Sequence, residues 1–235
     1  MDLTLFKALN PANLKDDFVL MLEEMILKGE LIPGDRLPAE REFAEHYGVS
    51  RPSIHDCIVI LENRGLVTLR PRHGVVVNNY RKEATLEVLL SLLEGNGHEL
   101  GPGLHRELEH FRIHMEKDIV NLICKRGTQA SEDIDEMDRI NEQMTETADA
   151  HQLAELDFQF HLELALAGGN SLYPLLNNTL KPAHTKYLMR FYEGQGIQEK
   201  VVLFHRELIT ALRACDKEAS IDKIKKIDSY DSYKP

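Results

Sequence analysis

Only one stretch of this chain reads as β-structure. In residues 66–79, "LVTLRPRHGVVVNN", two β-branched runs flank a Pro-Arg-His-Gly break, the pattern of a two-stranded hairpin. Elsewhere apolar residues recur at intervals of three and four, the period of a helix, so the chain is confined to a mainly α fold carrying a single hairpin. The hairpin tip is basic in an otherwise acidic protein. Arg64, Arg70 and Arg72 fall between residues 64 and 73 without an acid, whereas the formal net charge is −11. The net charge alone argues against nucleic acid, because phosphate affinity comes largely from Lys and Arg displacing counterions. The local cluster argues the other way.

The residues before the hairpin set out three helices. Leu14, Phe18, Leu22 and Ile26, with Met21 and Met25 alongside, form one stripe that stops at Gly29. A turn at Pro33 and Gly34 leads to a short helix with Pro38 near its start, Phe43 and Ala44 facing inward, and Gly48 as terminator. The third opens with Ser50 as N-cap and Pro52 in its first turn, then runs through Ile54, Cys57, Ile58 and Leu61 to Gly65. A supporting helix followed by two helices joined at a tight glycine turn is a helix-turn-helix, and the hairpin behind it makes a wing. Such a domain puts its last helix into the major groove and its wing tip against phosphates or into the minor groove.

The 235 residues suffice for two modest domains, and a 43% hydrophobic content can fill their cores. Cys57, Cys124 and Cys215 are widely separated, which suggests neither a disulfide framework nor a thiolate zinc site and fits a reducing compartment. The N-terminal residues lack a secretion-signal pattern, and no apolar run approaches the roughly 20 residues of a membrane span. A cytoplasmic protein with no membrane partner is expected.

Residues 31–77, "LIPGDRLPAEREFAEHYGVSRPSIHDCIVILENRGLVTLRPRHGVVV", resemble the DNA-binding domain of the GntR family of bacterial transcription regulators. The shared signature is Gly-Asp-x-Leu-Pro-x-Glu-Arg, then Val-Ser-Arg, then Gly-Leu before an Arg-rich wing. The resemblance implies that Arg41 and Arg51 contact DNA in or beside the major groove, that Ser50 and Ser53 help hold phosphates, and that His73 and Gly74 form a minor-groove tip flanked by Arg70 and Arg72. His55 stands where such proteins usually carry Arg. A single imidazole cannot reproduce the bidentate fork that Arg offers guanine, so a different operator base is expected there.

The expected boundary places a winged helix-turn-helix domain in residues 1–80 and an all-helical effector and dimerisation domain in 81–235. The most regular stripe of the second part is Leu104, Leu108, Phe111, Met115, Ile119 and Leu122. Further helices are predicted at roughly 84–95, 131–149, 151–167, 171–191 and 197–214, with a last one reaching about 227. Breaks fall at "GNGHELGPG", "RGTQAS", "AGGN" and "EGQG".

Within this part Asp157 and His161 lie four residues apart on one largely apolar helix face, and His205 aligns with the apolar Leu208, Ile209 and Leu212. One carboxylate and two imidazoles facing inward can ligate zinc or a similar divalent ion with positions left open, or can simply be hydrogen-bonded core residues. "LDFQFH", "FHRELITALRACDKEAS" and "AGGNSLY" resemble the FCD effector domain of the FadR subfamily. That resemblance implies a metal site built from Asp157, His161 and His205. It leaves the fourth ligand missing, because the usual interval from His205 reaches Ile227, with Asp228 as neighbour. It equally allows an acyl-CoA-type sensor without metal. Arg112 is either a cavity residue receiving an effector carboxylate, as in the family, or half of a surface pair with Glu116. His184 and Tyr187 either line the same cavity or sit elsewhere, and His105, His110 and His114 are placed on a solvated face.

The expected function is a ligand-responsive transcription regulator: a homodimer binding pseudo-palindromic operator DNA and sensing a small carboxylate. It is not expected to be an enzyme. A metal-dependent helical enzyme tethered to nucleic acid, with Asp157, His161 and His205 as ligands, is the competing class. No general base or nucleophile beside the cluster supports it.

Overall fold

A computed structural model describes residues 3–6, 13–95 and 102–231; at residues 4, 91–95, 102–105 and 227–231 the backbone alone is described. The chain divides into two compact units, residues 1–97 and 98–235. The first unit includes α5 (Leu86–Gly95), which packs on α1 (Leu14–Leu27), with Val88 buried in its core.

In the first unit α1, α2 (Glu40–Tyr47) and α3 (Arg51–Asn63) enclose a core around Phe18, Leu22, Phe43, Ile54, Ile58 and Leu61. Phe18 meets Phe43 edge to face at 5.0 Å, a favourable arrangement of two ring quadrupoles. Ser50 caps α3 as the sequence predicts, its Oγ accepting from Ser53 N at 3.3 Å. Strands β1 (Val67–Arg70) and β2 (Gly74–Val77) pair antiparallel, with Arg70 opposite Gly74 at the tip. The segment before α2 covers the other edge of β2: Leu37 N donates to Val75 O and Gly34 N to Val77 O, leaving the wing no bare edge on that side. Gly65 is required where α3 turns into β1. Its φ is +75°, and a β-carbon there would collide with the Glu83 carbonyl, which belongs to the short α4 (Tyr80–Glu83).

The second unit is a helical bundle of α6 (Pro102–Arg126), α7 (Ser131–Gln143), α8 (Ala150–Ala167), α9 (Leu172–Tyr192), α10 (Ile197–Arg213) and α11 (Lys217–Asp231). α8 packs against α7 and α9, and α11 against α10 and α6. The "AGGN" break works as a cap. Arg126 reaches across from α6 to donate to the carbonyls of Leu166 and Ala167 at the end of α8.

Three expectations change here. On α6 the buried stripe is Met115, Glu116, Ile119, Val120 and Ile123, whereas Phe111 is 44% exposed. Leu108 and Leu122 are only half-buried, and the side chain of Leu104 lies outside the described residues. The stripe is rotated because the neighbouring helices, not the helix itself, decide which face is covered. Cys124 and Cys215, unpaired by spacing, form a disulfide across Cα atoms 5.3 Å apart, since the end of α6 meets the turn after α10. Arg64, counted with the basic tip, instead turns inward and pairs with the fully buried Glu23 at 2.5 Å. No described helix is long and apolar enough to cross a membrane.

Candidate functional site

The first unit gathers basic side chains around one groove. Arg41 of α2, Arg51 of α3, and Arg70, Arg72 and Gly74 of the wing all line it. Arg72 and Gly74 have φ of +65° and +78°, which turns the chain tightly enough to bring both strands to one tip. His73 faces a neighbouring concavity beside Arg36, whose Nη2 is 3.5 Å from His73 Nδ1. Arg36 is a basic residue that the sequence reading missed. Its sole signal is its place in the segment that pairs with β2.

Several of these groups are already held by acids. Arg41 contacts Glu45 one turn on, at 3.3 Å. Ser50 Oγ is 2.8 Å from Ser53 Oγ, so both hydroxyls share the cap at the start of α3. Glu40, the first residue of α2, accepts from Arg51 Nε at 3.1 Å and contacts His55 Nδ1 at 2.7 Å. Burial opposes ionisation of Glu40, but the hydrogen bonds and charges of His55 and Arg51 outweigh it and lower the carboxyl pKa.

The second unit brings Asp157, His161 and His205 together. All three are buried, and one ligand atom from each lies within 4.8 Å of the others. Asp157 Oδ1 is 3.5 Å from His161 Nε2, and Tyr192 of α9 donates its hydroxyl to Asp157 Oδ2. On the far side of the ring, Glu116 Oε1 stands 2.8 Å from His161 Nδ1. Burial pushes His161 down, yet the Glu116 carboxylate, helped by Asp157, raises its pKa above the ordinary value. Among the described residues no carboxylate hydrogen-bonds to His205. Burial first, then the charges of His161 and Arg112, hold it well below the ordinary histidine range.

Glu116 and Tyr192 were absent from the sequence reading as parts of this cluster. Glu116 was considered only as a surface partner of Arg112, whereas it is 3% exposed and faces His161. No spacing rule links Tyr192 to Asp157 across two helices. The side chains of Ile227 and Asp228 lie outside the described residues, as does that of His105; His110 and His114 are exposed, with rings 4.3 Å apart.

Beside the cluster, Arg112 and His184 contact each other at 3.2 Å in a cleft lined by Leu108, Phe111, Met115, Leu180 and Tyr187. The cleft is mostly apolar, with Arg112, His184, Glu109 and Asn177 as its polar groups. His161 and His184 have ring centroids 6.2 Å apart, so the cleft and the buried cluster adjoin.

A winged helix with a basic groove, joined in sequence to a helical bundle that holds a polar cluster beside an apolar cleft, defines a ligand-sensing DNA-binding regulator. Residues 14–77 match the bacterial regulatory proteins of the gntR family, and residues 107–226 match the FCD domain. The chain belongs to the GntR family of transcription regulators, in the branch that carries an FCD effector domain. It is 26% identical over 219 residues to a fatty acid metabolism regulator protein of Proteus mirabilis, covering 93% of this chain and 88% of that one. The same identity holds over 213 residues with the fatty acid metabolism regulator protein of Yersinia pestis, covering 91% and 84%. Among solved structures, Lar of Listeria monocytogenes, described as controlling expression of the agr system, aligns over 91% of this chain and 93% of its own. Its TM-score is 0.50 at 18% identity, a likeness of fold.

Proposed function

We propose that this regulator binds operator DNA through the groove between α2, α3 and the wing, as a homodimer, and that its FCD domain senses an organic acid at a metal centre. Arg41, Arg51 and His55 address the major groove; Ser50 and Ser53 address phosphates at the start of α3; Arg70, Arg72, His73 and Gly74 form the wing contact. Leu86, in the segment from 84 to 125, is 49% exposed and suits burial against a second copy. Two half-sites read together supply affinity that one winged domain lacks. A regulator acting on chromosomal DNA would work in the cytoplasm.

One observation carries the sensing part. His205 is fully buried, yet among the described residues neither of its ring nitrogens has a hydrogen-bond partner. A buried imidazole without a partner costs a few kcal/mol, on the order of 1–3. A divalent ion such as zinc, held by Asp157, His161 and His205, would satisfy it. The donor set of one carboxylate and two imidazoles suits zinc or a similar metal. Glu116 then orients His161 through Nδ1, and Tyr192 orients Asp157, as outer partners of metal ligands commonly do. A metal held by three protein groups would accept effector oxygens at its open positions. Arg112 would neutralise the acid, and the apolar wall of Leu108, Phe111, Met115 and Leu180 would cover its hydrocarbon part. The relatives named for fatty acid metabolism favour an effector with an apolar chain.

The test combines elemental analysis, thermal melts with added zinc, and operator binding with a panel of organic acids, fatty acids and acyl-CoA. Wild type is expected to retain metal and gain stability from it, and a His161→Ala, His205→Ala double variant to do neither. Equal metal content and equal stabilisation in the two proteins would remove the metal centre. A response to acyl-CoA alone, undiminished in the double variant, would establish a metal-free sensor instead.

A further inference from the structure

We propose that Glu40 sets the base preference of His55: it holds the imidazole as the Nδ1–H tautomer, so that Nε2 meets DNA as an acceptor and selects an exocyclic amine. This rests on the reading that α3 enters the major groove.

The geometry leaves little freedom. Glu40 Oε1 is 2.7 Å from His55 Nδ1 while Oε2 takes Arg51 Nε at 3.1 Å, so both oxygens of one carboxylate are engaged by residues one turn apart on α3. The Glu40 side chain is 15% exposed, whereas His55 and Arg51 remain 51% and 70% exposed. The acid is thus the fixed partner and the two α3 side chains are the ones presented outward. An ionised carboxylate accepts hydrogen bonds and cannot donate, and the lowered pKa of Glu40 keeps it ionised. The proton of the contact must therefore sit on Nδ1. Arg51 supplies a full positive charge to the same carboxylate, and we take the ring in its neutral form, with its single proton on Nδ1. The neighbouring acid, Asp56, is taken by Lys15 at 2.8 Å and does not compete for the ring.

In a neutral ring protonated at Nδ1, Nε2 carries a lone pair. The major groove offers donors to it at adenine N6 and cytosine N4, while guanine N7 and O6 and thymine O4 are acceptors and repel it. His55 accordingly favours adenine or cytosine on the strand it touches, and Glu40 acts as a positioning residue, working through the imidazole it holds.

The experiment is selection of operators from random duplex DNA at neutral pH with full-length wild type, His55→Ala and Glu40→Gln, each checked for native helicity. Wild type is expected to enrich adenine or cytosine at one position per half-site. His55→Ala should flatten that position and no other. In Glu40→Gln the amide can donate to Nδ1 and move the ring proton to Nε2, so guanine or thymine should enter there. Replacing the preferred base should weaken wild-type binding roughly three- to tenfold, the scale of one hydrogen bond, and should not affect His55→Ala. Guanine at that position in wild type, lost in His55→Ala, would overturn the tautomer assignment, as would an identical consensus for wild type and His55→Ala. If Glu40→Gln does not fold, the first two proteins still decide. Enrichment of no duplex by wild type would instead defeat the groove reading on which the inference stands.

Discussion

Phe160 lies flat against His205, with ring centroids 3.7 Å apart and planes 7° from parallel. The stack covers one face of the imidazole with an apolar ring and pins its plane, so its nitrogens are aimed along the edge, where the Asp157 and His161 atoms converge. It also removes water from the ring, which is the largest cause of its depressed pKa.

That burial predicts how the metal-free protein responds to acid. A histidine with a depressed folded pKa contributes stability above its unfolded value and loses it below. As pH falls under 6.5, the unfolded chain takes up a proton that His205 refuses. Stability should then drop by about 1.4 kcal/mol per pH unit from this group. His161, whose folded pKa is raised, acts in the opposite window: its contribution is complete below 6.5 and is lost as pH rises through its higher folded value. Urea unfolding of metal-stripped wild type and His205→Leu between pH 5.5 and 8 checks this; the variant should lack the acid-side slope attributed to His205.

Metal retention should depend on residues that are not ligands. Glu116→Gln keeps shape but loses the charge facing His161 Nδ1, and Tyr192→Phe loses the hydroxyl on Asp157. Each is expected to weaken zinc binding about 10- to 100-fold. Competition with a chromophoric chelator measures it, and wild-type affinity in both variants would place these partners outside any metal centre.

Arg51→Ala should weaken operator binding by about 1–3 kcal/mol and relax specificity at the base it reads. Mobility shifts at physiological salt provide the measurement. Because Arg51 and His55 share the Glu40 carboxylate, their single and double alanine variants should show non-additive losses.

Arg64→Ala should behave differently from changes at the wing arginines. It removes the Arg64 guanidinium that sits 2.5 Å from the fully buried Glu23, at a cost of about 3 kcal/mol. Chemical denaturation should show the loss, while the selected operator sequence stays that of wild type.

Reducing the Cys124–Cys215 disulfide opens a loop whose ends are 91 residues apart. The second unit should lose about 2–4 kcal/mol of stability on treatment with dithiothreitol. A Cys124→Ser, Cys215→Ser protein should unfold identically with and without the reductant.

The sequence by itself determined the elements and their order, because helical period, N-caps and glycine stops are local properties. Ser50 as the cap of α3, the hairpin closing between Arg70 and Gly74, and the shared face of Asp157 and His161 all follow from neighbours a few residues away. Tertiary structure decided the partners. Glu40 reaches His55 across a helix turn-helix junction, Glu116 reaches His161 from another helix, and Tyr192 reaches Asp157 from a third. The phase of α6 was decided the same way: its apolar residues surround enough of the helix that either of two stripes could face inward, and the packing of α8 and α11 chose Met115, Ile119 and Ile123 over Phe111. Periodicity specifies that a face is buried. Which charge meets which across that face depends on how separate helices dock, and no spacing along one chain segment encodes it.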